Sequence, residues 1–238
     1  MHTEPLDFIP SAQYRHPLLD EYGIYYRPKA TLFVDTAADV QTLWKNLSSS
    51  SCRYCIKKAN RNGLSLRIIS RAEDIDSFVA IHRKQIEDVA LRKELTPLKY
   101  QDLHNLHALC HSLFPDHIAM LQVVSPSEEG KPAEVLSSAI FGIGNHASTY
   151  FTGASFRQSM HLCPNELMVW EGMRILNEHG AHNLIFGGTA AYKKKFGTHY
   201  AYVPTMIFSR YVWLPRLWNF LKQFKSTLRR FSSSIIYR

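Results

Sequence analysis

The order of predicted elements between residues 134 and 208 constrains the fold of this chain more than any other feature. Two β-rich runs, residues 136–143 and 147–154, are joined by Gly144-Asn145-His146, a short connection typical of an antiparallel hairpin. A long helix, a third strand and a last strand follow. This order predicts a mixed α/β unit.

The long helix and the strand after it carry clear local signals. From Pro164, apolar side chains recur with helical spacing until Gly180. Residues 184–186 then resemble a buried strand that ends at Gly187-Gly188, where the backbone can diverge from its neighbour or approach a ligand closely. The run Tyr192-Lys193-Lys194-Lys195-Phe196-Gly197 leads into the last strand.

This order, with the Tyr-Lys-x-x-Phe-Gly pattern at 192–197, resembles the GNAT acyltransferase superfamily. Within it, the chain is most similar to the Fem-like branch, which includes peptidoglycan-bridge aminoacyltransferases and related BioF-like acetyltransferase domains. An upstream pattern is similar to the one with which that branch begins, so the resemblance covers residues 43–208. That pattern comprises Leu43-Trp44, Arg53, Ile56-Lys57-Lys58-Ala59 and Gly63-Leu64.

The resemblance implies an α/β (α+β) fold with a mixed, mostly antiparallel central sheet flanked by helices. It also implies a V-shaped splay between two parallel strands, residues 146–154 and 183–189. We interpret residues 1–42 as an N-terminal segment left from a first GNAT unit, residues 43–212 as the acyltransferase domain, and residues 213–238 as a basic amphipathic helix.

Composition fits a globular protein. The chain has 238 residues, 45% of them hydrophobic and 20% charged, which is enough to bury a substantial core. Its longest apolar runs fall short of the roughly 20 residues that span a bilayer. The start of the chain lacks a basic leader followed by an apolar core. We therefore expect a cytoplasmic protein whose four cysteines are reduced.

Cys52 and Cys55 form a single CxxC. A closed zinc site needs four ligands, and neither Cys110 nor Cys163 supplies a second such pair. A thioredoxin-like site would follow a strand, whereas serines precede this motif. We predict no metal and interpret the two cysteines as small residues on a helix.

Positive charge is concentrated in the last quarter of the chain. After Glu178 there are ten Lys and Arg and no acidic residue, which leaves 18 of the 28 Lys and Arg against 20 Asp and Glu in the remainder. Apolar residues also recur every three or four positions from Leu217 to Phe231, which predicts a basic amphipathic helix. This helix either packs on the domain or brings residues 215–238 to RNA or an anionic membrane.

An acyltransferase must place an activated carbonyl beside a neutral amine, stabilise the oxyanion and protonate the leaving group. The Fem-like resemblance places the aromatic-Lys pair, here Tyr192-Lys193, in the cleft between the splayed strands. A lysine ammonium attracts the carbonyl oxygen more strongly as that oxygen becomes negative. We predict Lys193 as the catalytic contact, with a solvated lysine as the alternative. Tyr192 packs, stacks on substrate or donates a proton.

A general base is not evident from the sequence. Glu166 and His161, near the start of the long helix, are candidates, although a structural or surface role is the alternative. Arg53 and Lys57 lie one helical turn apart and could bind phosphates or form a solvated basic face. The full set of predicted binding residues is Arg157, Gln158, Gly187, Gly188, Tyr150, Arg53 and Lys57.

The acyl donor depends on the loop at 155–164. Superfamily members that use acyl-coenzyme A carry an Arg/Gln-x-x-Gly-x-Gly/Ala loop, whose amides hold the pyrophosphate. Residues 157–163 contain no glycine. This departure disfavours a coenzyme A thioester and favours aminoacyl-tRNA. Both stay candidate co-substrates, and no permanently bound cofactor is predicted.

The sequence thus predicts an N-acyltransferase that moves an acyl or aminoacyl group to an amine, with a cell-envelope precursor as one candidate acceptor. It would be cytoplasmic, with a peripheral position at the inner face of the membrane as an option. The alternative is a catalytically degenerate GNAT domain that binds RNA or anionic membrane through its basic C-terminal quarter.

Overall fold

The computed structural model describes residues 24–92, 101–127, 132–144 and 146–208; within these ranges, the side chains of 24–29, 92, 101–104 and 202–208 are not described. The chain divides into two compact units, residues 31–200 and residues 1–30 with 201–238. The site lies in the first unit. The predicted C-terminal helix, 213–238, and most of the N-terminal segment, 1–42, lie outside the described residues, and the proposed domain bounds stay predictions.

The described part of the chain contains five α-helices and seven strands. In chain order these are β1 Ile24–Asp35, α1 Val40–Asn46, α2 Tyr54–Arg61, β2 Ser65–Ile68, α3 Ile75–Arg92, α4 Gln101–Leu113, β3 Ile118–Val124, β4 Val135–Gly142, β5 Ser148–Ser155, α5 Pro164–Glu178, β6 Asn183–Ile185 and β7 His199–Phe208. A π-helical turn, Ser49–Arg53, and three 3₁₀ turns, Ala72–Asp74, Arg157–Leu162 and Ala191–Phe196, connect them.

The strands form one mixed sheet in the order β2-β3-β4-β5-β6-β1-β7. The pairings β2–β3, β3–β4, β4–β5 and β1–β6 are antiparallel, whereas β5 and β6 run parallel. The predicted α/β fold with a mostly antiparallel sheet flanked by helices is confirmed.

The centre of the sheet is covered on both faces. All seven residues of β3 are buried, and their side chains alternate between two hydrophobic clusters, as the pleat of a strand requires. Ala119 and Leu121 belong to the cluster that includes the buried face of α5, and Ile118 and Met120 to the cluster with Phe78 of α3. This double coverage explains why the strand is almost continuously apolar.

Helix α5 begins and ends where the sequence indicates. Cys163 precedes it with a φ of 62°, Pro164 occupies its first turn, and Gly180 follows it with a φ of 73°. At Gly172 the helix lies so close to the sheet that an added Cβ would be 2.4 Å from the ring of Phe141. A glycine is therefore required there for α5 to pack against β4.

Strand β6 differs in extent from the sequence prediction. It ends at Ile185, not at residue 189, because the chain then leaves β5. Among the described residues, the helices are too short or too polar to cross a bilayer.

A buried polar network joins α3 to β4 and β5. Nδ1 of His82 lies 2.6 Å from Oγ of Ser138, and Nε2 lies 3.3 Å from Oγ1 of Thr152. Ser138 donates its own proton to Gln85, so it accepts from Nδ1–H of a neutral imidazole. Burial lowers the pKa of His82 from 6.5 to about 4, which keeps it neutral.

We predict that this histidine makes the folded state sensitive to acid. Between pH 6.5 and about 4 the unfolded chain binds a proton at His82 that the folded chain does not, so stability falls as pH falls through this window. The loss should reach about 3 kcal/mol. Denaturant unfolding of wild type and His82→Gln at both ends of the window measures it. Equal pH dependence in the two proteins would contradict the prediction.

Candidate active site

The parallel strands β5 and β6 part after only two paired positions, Ser148 with Leu184 and Thr149 with Ile185. Strand β5 then continues alongside β4, with a bulge at Phe151 where the register shifts. Strand β6 ends. We call the point where the two strands part, between Tyr150 of β5 and Phe186, the residue after β6, the strand gap; the ring centroids of these two residues lie 5.7 Å apart there. The predicted splay between two parallel strands is confirmed.

On the β6 side of the strand gap, the backbone departs from the ladder with β1. In a regular antiparallel pair, Phe186 and Leu32 would exchange both of their hydrogen bonds. The Phe186 amide does donate to the Leu32 carbonyl, at 2.8 Å, but the Leu32 amide donates to Gly188 instead, at 3.3 Å. Gly187 and Gly188 have φ values of 63° and 135°, which glycine adopts readily. The Phe186 carbonyl is thereby released from the sheet.

The Lys193 ammonium binds this released carbonyl. Its Nζ donates to the Phe186 oxygen at 2.5 Å, and it lies 5.9 Å from the ring centroids of both Tyr150 and Phe186. The side chain is only 8% exposed. The ammonium therefore lies at the strand gap and not in bulk solvent.

The 3₁₀ turn Ala191–Phe196 explains why one lysine of three is buried. Side chains three residues apart in such a turn lie on the same side. Phe196 is fully buried and stacks on Phe186 at 5.9 Å, so Lys193 is directed inward with it. Lys194 is exposed near Tyr200, and Lys195 pairs with Glu166.

Two tyrosines border the ammonium. Tyr150 is buried, and the ring centroid of its neighbour Tyr192 is 5.8 Å from Nζ of Lys193. Desolvation raises the pKa of Tyr150 well above its usual value and also raises that of Tyr192. Both phenols therefore keep their protons at neutral pH. Tyr192 remains 49% exposed and can meet a substrate.

Glu166 lies at the first turn of α5 and accepts a hydrogen bond from Lys195. The backbone oxygen of Lys195 in turn accepts from the Ser48 amide at 2.9 Å. These two contacts hold the 3₁₀ turn Ala191–Phe196, which we call the lysine turn, against α5 and against the π-helical turn. Glu166 thus supports the position of Lys193 indirectly, because it binds Lys195 in the same turn.

A thiol pair lies beside Glu166. The sulfur atoms of Cys55 and Cys163 and a carboxylate oxygen of Glu166 lie within 4.8 Å of one another, a spacing that metal ligands could have. However, the carboxylate is bound to Lys195, and burial raises the pKa of Cys163 to about 12. Burial also raises the pKa of Cys52 to about 12. Protonated thiols are poor ligands and poor nucleophiles.

The 3₁₀ turn Arg157–Leu162 is bordered by acidic groups. The carboxylate of Asp88 accepts from the Arg157 amide at 3.0 Å, and that of Glu134 accepts from the Gln158 side chain at 3.2 Å. Asp88, Phe156, Arg157 and Gln158 line a surface depression here. The backbone amide of Arg157, at the start of this turn, is thus already hydrogen-bonded to the Asp88 carboxylate.

The remaining predicted residues lie on other elements. His161 is exposed, with Nδ1 2.8 Å from the Gln158 carbonyl. Arg53 ends the π-helical turn, and Lys57 is on the exposed face of α2, where it lines a depression with Tyr54 and Arg61. The structure brings Lys193, Tyr192 and Tyr150 together with the backbone that runs into Gly187 and Gly188.

Sequence reasoning missed three features of this site. These are the Phe186 carbonyl, the Asp88 carboxylate at the Arg157 amide, and the pairing of Cys55 with Cys163. The first involves a backbone carbonyl, which every residue has. The other two join residues that are far apart in the sequence, so none of the three leaves a local sequence pattern. Gly153 was a usable signal, because a glycine inside a strand often marks a close approach by another group. In the structure, an added Cβ there would lie 1.8 Å from the Tyr150 hydroxyl.

We predict that Gly153→Ala disturbs Tyr150 and destabilises the fold by about 1–3 kcal/mol, as overpacking of a core does. A double-mutant cycle with Tyr150→Leu tests the cause. Because leucine removes the hydroxyl and the ring, the Gly153→Ala cost should shrink in that background. An equal cost in both backgrounds would show that Tyr150 does not lie over Gly153.

Comparison with known proteins supports the fold. No protein-family model and no curated protein matches the sequence. A crystal structure of FemX is similar with a TM-score of 0.60 and 14% identity, over 80% of this chain and 67% of that chain. The chain has the fold of FemX, as the Fem-like resemblance predicts.

Two further structures are less similar. One is the C-terminal domain (DUF2156) of a putative lysylphosphatidylglycerol synthetase from Agrobacterium fabrum, with a TM-score of 0.48 and 12% identity over 80% of this chain and 65% of that chain. The other is a tandem GNAT protein from the clavulanic acid biosynthesis pathway, with a TM-score of 0.43 and 11% identity over 86% and 62%. The chain therefore spans somewhat less than two thirds of the length of these two proteins.

Proposed function

We propose that this protein is an N-acyltransferase of the Fem-like type, which transfers an acyl or aminoacyl group to an amine. The observation that carries the proposal is the Lys193 ammonium, buried at the strand gap against the Phe186 carbonyl. A transferring carbonyl placed in this opening would meet a fixed positive charge. Pre-positioned charge of this kind stabilises an oxyanion without reorganisation during the reaction.

The reaction would proceed by attack of a neutral amine on the carbonyl carbon of the donor. A carbon–nitrogen bond forms while the carbonyl oxygen becomes negative beside Lys193. An ammonium carries three N–H donors, so its bond to Phe186 is compatible with a second acceptor. The oxyanion then collapses, the bond to the leaving group breaks, and the electron pair departs with that group.

Tyr192 is suited to protonate the leaving group. It is protonated at neutral pH, half-exposed, and its ring centroid lies 5.8 Å from the Lys193 ammonium. A nearby positive charge stabilises the phenolate that forms when the phenol gives up its proton. Glu166, bound to Lys195, serves to hold the lysine turn in this proposal, and the proton of the amine leaves through substrate groups or solvent.

Aminoacyl-tRNA is the donor that we favour over a coenzyme A thioester. The turn at 157–162 lacks glycine, and Asp88 and Glu134 place two carboxylates at its start. A pyrophosphate there would be repelled by these negative charges and would have to displace one from a backbone amide. The ten Lys and Arg after Glu178 are positive charges that suit RNA phosphates.

The acceptor in this proposal is an amine on a cell-envelope precursor, reached from the cytoplasmic face of the membrane. The charge segregation of the sequence also favours the second candidate function, a catalytically degenerate domain that binds RNA or anionic lipid through the basic C-terminal quarter. Lys193→Ala separates the two. It lowers the turnover of an enzyme, but it removes only one charge from a module that binds through residues 215–238.

We predict that Lys193→Ala lowers turnover by about a hundredfold to a thousandfold, as the removal of one oxyanion donor does. Lys194→Ala is the matched control, since it removes the same charge one residue away from an exposed side chain. Turnover is measured with each candidate donor, and circular dichroism checks folding. If both variants turn over at the wild-type rate, Lys193 is not a catalytic residue.

We also predict that aminoacyl-tRNA binds saturably and coenzyme A does not. Titrations at several salt concentrations separate the two, because a complex held by several phosphate contacts loses about a thousandfold or more in affinity between 50 and 200 mM salt. Micromolar, salt-tolerant binding of coenzyme A would contradict the donor assignment and leave the acyltransferase proposal standing.

A further inference from the structure

A cluster of two histidines and one aspartate joins α3 to α4. His107 and His111 lie one turn apart on α4, so their side chains project from the same face. Nε2 of each ring is 2.8 Å from the same carboxylate oxygen, Oδ1 of Asp76 in the first turn of α3. The two rings lie 4.6 Å apart in an edge-to-face arrangement.

We propose that Asp76, His107 and His111 form a binding site for a late first-row divalent cation, of which Zn²⁺ is the probe of choice. Imidazole nitrogen and carboxylate oxygen are ordinary ligands for this ion. The three donor atoms already lie within 4.8 Å of one another.

The geometry needs only a small change to admit the ion. Ligands about 2.0–2.1 Å from a tetrahedral Zn²⁺ lie about 3.3 Å from each other. The present separation of 2.8 Å between each imidazole nitrogen and the carboxylate oxygen must therefore open by about half an ångström. Each ring must carry its proton on Nδ1 to leave a lone pair on Nε2. Three protein ligands leave one position for water.

The partial exposure of the cluster suits exchange of the ion with solvent. The side chains of His107, His111 and Asp76 are 44%, 41% and 74% exposed. None of the three lies in β5, β6 or the lysine turn that build the strand gap. The cation would therefore clamp α4 to the start of α3 and stabilise the fold, rather than take part in acyl transfer.

A hydrogen-bonded triad without a metal function is the competing explanation. Asp76 accepts from both rings in the metal-free state, and exposed triads of this kind contribute little stability. The two explanations differ in what happens when Zn²⁺ is added. An ion that binds only the folded state raises the melting temperature in a concentration-dependent way.

Calorimetric titration of the full chain with Zn²⁺, after chelator treatment, tests the proposal. We expect one equivalent of micromolar binding and a rise in melting temperature, both lost in His107→Gln/His111→Gln and weakened in Asp76→Asn. His179→Gln is the matched control, because His179 is exposed at the end of α5 and outside the cluster. It should bind as the wild type does.

Co²⁺ in place of Zn²⁺ separates this site from the thiol pair Cys55–Cys163. The absorption spectrum of the Co²⁺-loaded protein should lack a thiolate-to-cobalt band. It should also be the same in the double variant Cys55→Ser/Cys163→Ser, and both results support the histidine site. The proposal is overturned if the double histidine variant keeps the bound equivalent, if a thiolate band appears, or if wild type binds only weakly and without thermal stabilisation.

Discussion

The hydrogen bond between the Lys193 ammonium and the Phe186 carbonyl lies at the point where the sheet changes from paired to parted strands. A sheet can open there only if the backbone groups that it releases find other partners. Two consecutive glycines turn the Phe186 carbonyl out of the ladder with β1, and the Lys193 ammonium donates a hydrogen bond to it. The same contact therefore stabilises the opening and places a positive charge within it.

This arrangement depends on packing at a distance from the gap. Phe196 holds the lysine turn in the core, and the Glu166–Lys195 pair ties that turn to α5. Gly197, which ends the turn with a φ of 73°, lies so close to α1 that an added Cβ would be 2.8 Å from the Asn46 carbonyl. The Tyr-Lys-x-x-Phe-Gly pattern can thus be understood physically: its Phe and Gly fix the turn, and its Lys is directed inward as a result.

Much of this could be predicted from the sequence, and the limits are physical. Helix α5, the β4–β5 hairpin and the break at Gly187-Gly188 have local signals, so their existence followed from periodicity and glycine positions. The burial of Lys193 could not be predicted, because the sequence does not show which of three adjacent lysines a 3₁₀ turn directs inward. The carboxylate of Asp88 on the Arg157 amide joins residues 69 positions apart, and no short-range pattern encodes such a contact. The cluster of Asp76 with two histidines was missed for the same reason.

The position of the Lys193 ammonium can be measured directly by a crystal structure of the protein at a resolution that defines lysine side chains. We predict electron density for Nζ between β5 and β6, within hydrogen-bonding distance of the Phe186 carbonyl and beside the Tyr150 ring. Density that places Nζ in solvent, with the Phe186 carbonyl bonded to the Leu32 amide in a regular ladder, would contradict the proposed active site.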